Sequence, residues 1–253
     1  MRLLINADDF GLHESCSKAI LEAFANGYIS STSMCANGAY FDEACRLGKA
    51  KQLEKRIGIH LNLTEGLPIT DAIRRNPNFC GELGQFHGHV SRLKPLTGRD
   101  KKMVDGELSA QIERMRTNGL PITHADSHHH IHTALFISPV VLGVLERYEI
   151  KKIRIHRNVG SIPFPKQVVK YLYNNFLLRK GFYTVDRFGS FADFILATEI
   201  HRDSTIEIMV HPEYDDQQRL IDKTNWGVPR VERTLQEVAS SLKIADWCSY
   251  SDL

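Results

Sequence analysis

The stretch HADSHHHIH, residues 124–132, packs five of the chain's twelve histidines into nine positions. Neutral imidazole suits zinc, iron, nickel or cobalt, whereas magnesium and manganese favour oxygen donors. A solvated loop, or a helix starting at Ser127, would account for one or two of these histidines. Neither accounts for five of them beside Asp126, directly after an apolar, strand-like run. Other polar residues fall at comparable places. The chain opens RLLINADDF, so Asp8 and Asp9 are adjacent carboxylates at the end of the first apolar run. They could cap the following helix. Alternatively, one binds a metal and the other is a general base, because neighbouring carboxylates repel unless a cation or proton lies between them.

In RIGIHLNL, Ile57, Ile59, Leu61 and Leu63 share one face by the two-residue strand period, and His60 and Asn62 point the other way. A lone inward histidine is commonly a hydrogen-bonded core residue. Taken together, however, Asp9, His60 and His128 make a 2-His-1-carboxylate set with open positions, a catalytic arrangement. TIEIMVHPEY ends its apolar run at His211, where Pro212 turns the chain out; an imidazole there could donate a proton or sit satisfied in a turn. In RIHRN, Arg154 and Arg157 could hold a carboxylate, orient a substrate, or simply end a strand in solvent. These residues lie far apart in sequence, so any shared chemistry depends on the fold bringing strand ends together.

The elements that would do so alternate. RLLINAD, TSMCA, RIGIHLNL, ITHAD, KIRIH, FYTVD and TIEIMVH read as strands, with IADWC a candidate final strand. Helical periodicity follows in HESCSKAILEAFANG, in residues 40–51, in ELSAQIERMRTNG, in residues 133–148 and in about 228–243. This alternation argues for a parallel sheet with helices outside, closed into a (β/α) barrel of seven or eight strands, with a doubly wound sheet as the alternative. Active sites of such barrels collect at the C-terminal strand ends. No linker cuts the chain, so residues 1–253 are expected to form a single domain. A long irregular insertion at about 65–100, with Pro68, Pro77 and Pro95, reads as a lid or substrate wall.

Composition narrows the function. Lys+Arg 32 against Asp+Glu 30 gives a net charge of +2, and no basic–aromatic cluster points to nucleic acid. The five cysteines are odd in number and widely spaced without a C-x-x-C, which argues against disulfides or zinc thiolates and for a reducing cytoplasm. Asn6, Asp8 and Asp9 interrupt the opening apolar run, so it does not read as a signal peptide, and no apolar run of about 18 residues is present to span a membrane. A homodimer is compatible with the sequence, which marks no particular helix face for it.

NADDFG, GIHLNLTEG, HADSHHHIH and VHPE occur in the order and spacing of the YdjC-like carbohydrate deacetylases, which include the chito-oligosaccharide deacetylases. The resemblance runs from residue 2 to the closing YSDL. It implies a barrel related to the polysaccharide deacetylases, one divalent metal ion (usually magnesium, although the ligand set would also suit zinc) and removal of acetyl from an N-acetylated sugar. By motif, Asp9, His60 and His128 match the metal ligands, Asp8 the catalytic base and His211 the acid; Asn62, Asp126, Arg154 and Arg157 are expected to contact the substrate. Many relatives carry Arg-x-Pro-Arg where this chain has Arg154-Ile155-His156-Arg157, which leaves loop geometry and sugar preference open. Competing readings are another metal-dependent hydrolase, such as a phosphoesterase or amidohydrolase, and a metal- or sugar-binding protein without catalysis. A glycosidase acting through Asp8 and Asp9 is weaker: its carboxyls must flank the scissile bond about 5–9.5 Å apart, and it leaves the histidines unexplained.

Overall fold

The computed structural model describes residues 1–91, 94–195, 203–223 and 246–253. In chain order its elements are β1 (Arg2–Phe10), α1 (Glu14–Ala25), β2 (Ser31–Met34), α2 (Phe41–Ala50), β3 (Ile57–Leu61), α3 (Asp71–Arg74), α4 (Gly98–Thr117), β4 (Ala125–Ser127) and α5 (Ser138–Arg147), then α6 (Phe164–Arg179), β5 (Arg187–Ser190), α7 (Phe191–Ile195), β6 (Thr205–Val210), β7 (Pro212–Tyr214), β8 (Leu220–Asp222) and β9 (Asp246–Trp247). The expected helix at 228–243 lies outside the described residues.

The chain forms two compact units. One comprises Met1–Asp8, Ser15–Thr32 and Lys152–Leu253, the other Asp9–Glu14 and Ser33–Lys151. Strands β1 and β2 each begin in one unit and end in the other. In the first, strands follow the order β2-β1-β6-β5, with β9 also beside β1. The register of β1 on β6 is parallel, Leu3 opposite Ile206 and Ile5 opposite Ile208. These residues are fully buried, as continuous apolar strands require when both sheet faces are covered. Strands β7 and β8 form a separate antiparallel hairpin.

In the second unit the order is β4-β3-β2, and β3 pairs with β4 in parallel, with His60 opposite Asp126. All five β3 residues are buried, so the alternation read in its sequence separates two covered faces rather than an inside from an outside. Helix α4 is longer than its apolar pattern suggests. It begins with a capping box in which Thr97 accepts from the Asp100 amide and Asp100 accepts from the Thr97 amide.

Among the described residues the parallel sheet has six strands in one path and the two-residue β9 beside β1, so the expected parallel α/β sheet is present without clear closure into a barrel of seven or eight strands. KIRIH and FYTVD account for much of the difference. They meet in one isolated parallel bridge, Lys152 to Tyr183, and α6 occupies the chain between them. ITHAD likewise yields only the three-residue β4, because Ile122 takes a positive φ of 49°.

Gly58 marks a close approach inside β3. A Cβ there would stand 2.3 Å from the His124 ring, which is wholly buried. We expect Gly58→Ala to cost about 1–3 kcal/mol through overpacking, seen as a lower urea midpoint at unchanged m-value. Gly106, on the exposed side of α4 with open space around it, is expected to gain up to about 1 kcal/mol on mutation to Ala.

Candidate metal site

The second unit carries the acid–imidazole cluster. Asp9, next to last in β1, sits in the left-handed region with φ 74°, a conformation that costs a non-glycine residue roughly 1–3 kcal/mol. The turn after it is knitted into neighbouring chain: Leu12 N donates to Asp9 O at 3.0 Å, and Cys35 N to Phe10 O at 2.8 Å. Gly38 presses on this turn so closely that a Cβ would lie 2.1 Å from Gly11 O. Thus held, Asp9 Oδ1 lies 3.2 Å from His60 Nε2 and 2.8 Å from His128 Nδ1. Burial pushes the Asp9 carboxyl up, but the hydrogen bonds and charge of His128 and His60 outweigh it and hold the group well below the usual carboxylate range.

Each imidazole is backed by a second carboxylate. His60 Nδ1 lies 2.7 Å from Asp126 Oδ1, and Ser33 donates to Asp126 Oδ2 at 2.9 Å. His128 Nε2 lies 3.0 Å from Glu65 Oε2, and His13 Nε2 is 3.0 Å from the other Glu65 oxygen. An imidazole whose outer nitrogen gives its proton to a carboxylate turns a lone pair inward, the arrangement that orients metal-ligating histidines. One carboxylate and two such imidazoles are a donor set that fits a divalent cation.

The five histidines of the 124–132 stretch therefore divide. Only His128 meets Asp9. His124 packs on Gly58 and pairs with Thr123; His129 pairs with Thr64; His132 pairs with Ser127; His130 is partly exposed. Burial, and then the charge of His128, pushes the His129 imidazole below its ordinary value. Consecutive positive φ angles at His129 and His130, 51° and 53°, break the short 3₁₀ segment at this point.

Glu65 owes its position to buried polar pins. Asn62 Oδ1 accepts from the Thr64 and Glu65 amides at 2.9 and 3.0 Å, and its Nδ2 donates to Glu65 O. Gln111 of α4 exchanges both of its amide bonds with the Asn62 backbone, and buried Glu107 accepts from the Ile69 and Thr70 amides. The start of the long insertion is thus anchored on α4.

The first unit carries a different network. Asp8 receives both Arg154 amino groups, at 2.6 and 2.7 Å, and the Asn6 amide at 2.8 Å. Arg154 also donates through Nε to Glu207 at 2.8 Å, and Tyr250 hydroxyl donates to the same Glu207 at 2.5 Å. Asp8, Arg154, Glu207 and Tyr250 are all buried. His211 Nε2 lies 3.9 Å from Asp8 Oδ2, and its backbone N–H donates to Asp222.

Asn62, Asp126 and Arg154, expected to contact substrate, are each 0% exposed and bonded to protein groups. Arg157 is partly exposed and pairs with Asp193 at 2.5 Å. At the departure from Arg-x-Pro-Arg, His156 uses its backbone N–H, donating to Asn174 Oδ1 at 2.9 Å, a bond that proline could not make. Its ring meets Tyr173 edge-on. Sequence reasoning passed over Ser33, Glu65, His13, Glu207 and Tyr250. Glu65 was visible inside LTEG and Tyr250 inside YSDL, but nothing in either motif says what the side chain faces.

A family model described as YdjC-like protein matches residues 2–241. A carbohydrate deacetylase of Geobacillus stearothermophilus is 37% identical over 215 residues, 84% of this chain and 80% of that protein. Carbohydrate deacetylase 1 of Listeria innocua is 30% identical over 92% of this chain and 89% of its own. A carbohydrate deacetylase of Halalkalibacterium halodurans is 31% identical over 86% and 87% respectively. The crystal structure of a candidate cellobiose-phosphate cleavage protein from Enterococcus faecalis V583 shares the fold, with a TM-score of 0.69 at 22% identity over 99% of this chain and 98% of that one.

The cluster makes a graded expectation for metal affinity. His60→Ala removes a donor and should abolish stoichiometric zinc binding in calorimetry. Asp126→Asn leaves every donor in place and should weaken binding ~10–100-fold. Wild-type affinity in the Asp126 variant would show that the carboxylate behind His60 does not tune the site.

Proposed function

The chain belongs to the YdjC-like family, and from that premise we propose that it is a metal-dependent carbohydrate deacetylase, hydrolysing the acetamide of an N-acetylated sugar or oligosaccharide and releasing acetate. The observation that carries this reading is the convergence of Asp9 Oδ1 with His60 Nε2 and His128 Nδ1, at 3.2 and 2.8 Å. The names of the similar proteins support a carbohydrate acetyl group as the target.

An amide is a poor electrophile and its amine a poor leaving group. Asp9, His60 and His128 would hold one divalent ion, Mg²⁺ or Zn²⁺, which when bound supplies Lewis acidity at the acetyl carbonyl and makes water more acidic. Asp126 and Glu65 would keep the two imidazoles in the tautomers that face Asp9. Asp8 would accept the proton of the attacking water. Its two oxygens are held in place by Arg154 and Asn6. Arg154 is thereby a positioning residue in this reading, and Glu207 and Tyr250 hold it in turn. His211, when protonated, would hand its proton to the departing sugar nitrogen.

With zinc or magnesium supplied, wild-type protein is expected to release acetate from oligomers of N-acetylglucosamine. Asp8→Asn should retain metal and lose ~10²–10⁴-fold in turnover. Unchanged acetate release from that variant would refute the base assignment, and phosphate release from sugar phosphates without acetate release would refute the deacetylase reading.

A further inference from the structure

The turn that carries Glu65 is held at every step. Each carbonyl from Thr64 to Pro68 is engaged: Thr64 O by the Gly88 amide at 2.8 Å, Glu65 O by Asn62 and Asn37, Gly66 O by the Phe86 amide at 3.0 Å, Leu67 O by Asn37 at 3.2 Å and Pro68 O by Arg74 at 3.0 Å. Yet the side chain this turn presents to water is apolar: Leu67 is 53% exposed. Leu67 follows Glu65 by two residues, within about 7 Å of backbone, and Glu65 touches His128. A lone surface leucine needs no explanation. One mounted on so constrained a backbone is a preformed contact, because docking against it orders little chain.

His129 adjoins the same turn. Its ring centre lies 4.1 Å from that of His128. Its φ of 51°, followed by 53° at His130, is a strain that proteins retain chiefly at functional sites. The ring is exposed, with Nδ1 3.1 Å from the Thr64 hydroxyl. That hydroxyl gives its proton to Asn62 Oδ1 at 3.2 Å, so toward His129 it accepts. The neutral ring therefore carries its proton on Nδ1 and its lone pair on Nε2, where it can accept from a hydroxyl.

We propose, resting on the reading that the substrate is an N-acetylated sugar, that Leu67 and His129 form the subsite for the sugar ring. Leu67 takes the apolar C–H face of the pyranose, and His129 Nε2 accepts from one of its hydroxyls. A pyranose has both kinds of surface, and here both contacts are tied to one turn. They therefore keep a fixed spacing from Glu65 and His128, beside which the acetamide is hydrolysed. Both are specificity-determining residues and take no part in the bond breaking.

Saturation-transfer NMR of an N-acetylglucosamine trimer on the zinc-loaded protein reads the ring contact whether or not acetate leaves, since substrate and product share the ring. Leu67→Asp should abolish transfer to the ring C–H protons and raise KM for acetate release ~10-fold, the order expected from uncovering about half a leucine side chain. Leu67→Met should restore both. His129→Gly takes the same φ without strain. It should melt no lower than wild type, yet raise KM ~5–10-fold through the lost hydrogen bond. In all three variants kcat should stay within threefold and zinc affinity should be unchanged. Ring transfer in a wild type that releases no acetate would support the subsite and refute the deacetylase reading. Acetate release with KM unchanged in Leu67→Asp and His129→Gly would overturn the subsite alone. So would a wild type with no transfer to ring protons, or a His129→Gly protein that melts lower and loses zinc.

Discussion

A carboxylate taken out of water must be matched by positive charge or donors, and Asp9 is matched by two imidazoles on one oxygen. Much of the second unit follows from keeping that contact. The backbone at Asp9 accepts a left-handed φ to aim the side chain, and the Gly38–Gly11 approach locks the turn that allows it. Behind His60 stand Asp126 and Ser33, and behind His128 stands Glu65. Glu65 depends in turn on Asn62, and Asn62 on Gln111 of α4. Each layer satisfies polar groups that would otherwise be buried without partners.

The neighbouring carboxylate is treated differently although one peptide bond separates the two. Asp8 is paired through both oxygens with Arg154, and Arg154 is shared with Glu207. A buried ion pair gains little net stability over apolar packing, because desolvating the charges offsets most of their attraction; losing one member costs ~3–5 kcal/mol. Such a chain of charges is therefore poor value as scaffolding. What the network does is hold the Asp8 carboxylate in one orientation. Two adjacent acids thus avoid mutual repulsion by each having its own partners.

Helix α6 is bonded to the chain before it by polar groups. The helix is tied at His156 and Asn174 through backbone and amide groups, with the His156 ring against Tyr173. At position 156 this chain has an N–H to give, and Asn174 accepts it. On the same helix Phe164, Tyr171 and Leu172 stay exposed.

The four motifs named the acids and histidines that cluster, because metal chemistry restricts ligands to a few residue types and strand ends put them in recognisable places. The alternation of apolar runs likewise disclosed a parallel α/β architecture, since strands covered on both faces must be apolar throughout. Local pattern went astray where pairing decides. KIRIH and FYTVD have strand composition but share a single bridge, and α6 has too little amphipathic contrast to announce itself. Which of five clustered histidines meets Asp9, and that Asp126, Asn62 and Arg154 are buried and bonded to protein groups, depended on contacts across 49 to 146 residues of chain. Residue type constrains what a side chain can bond; only packing, by removing water from some partners and bringing others near, selects which bond it makes.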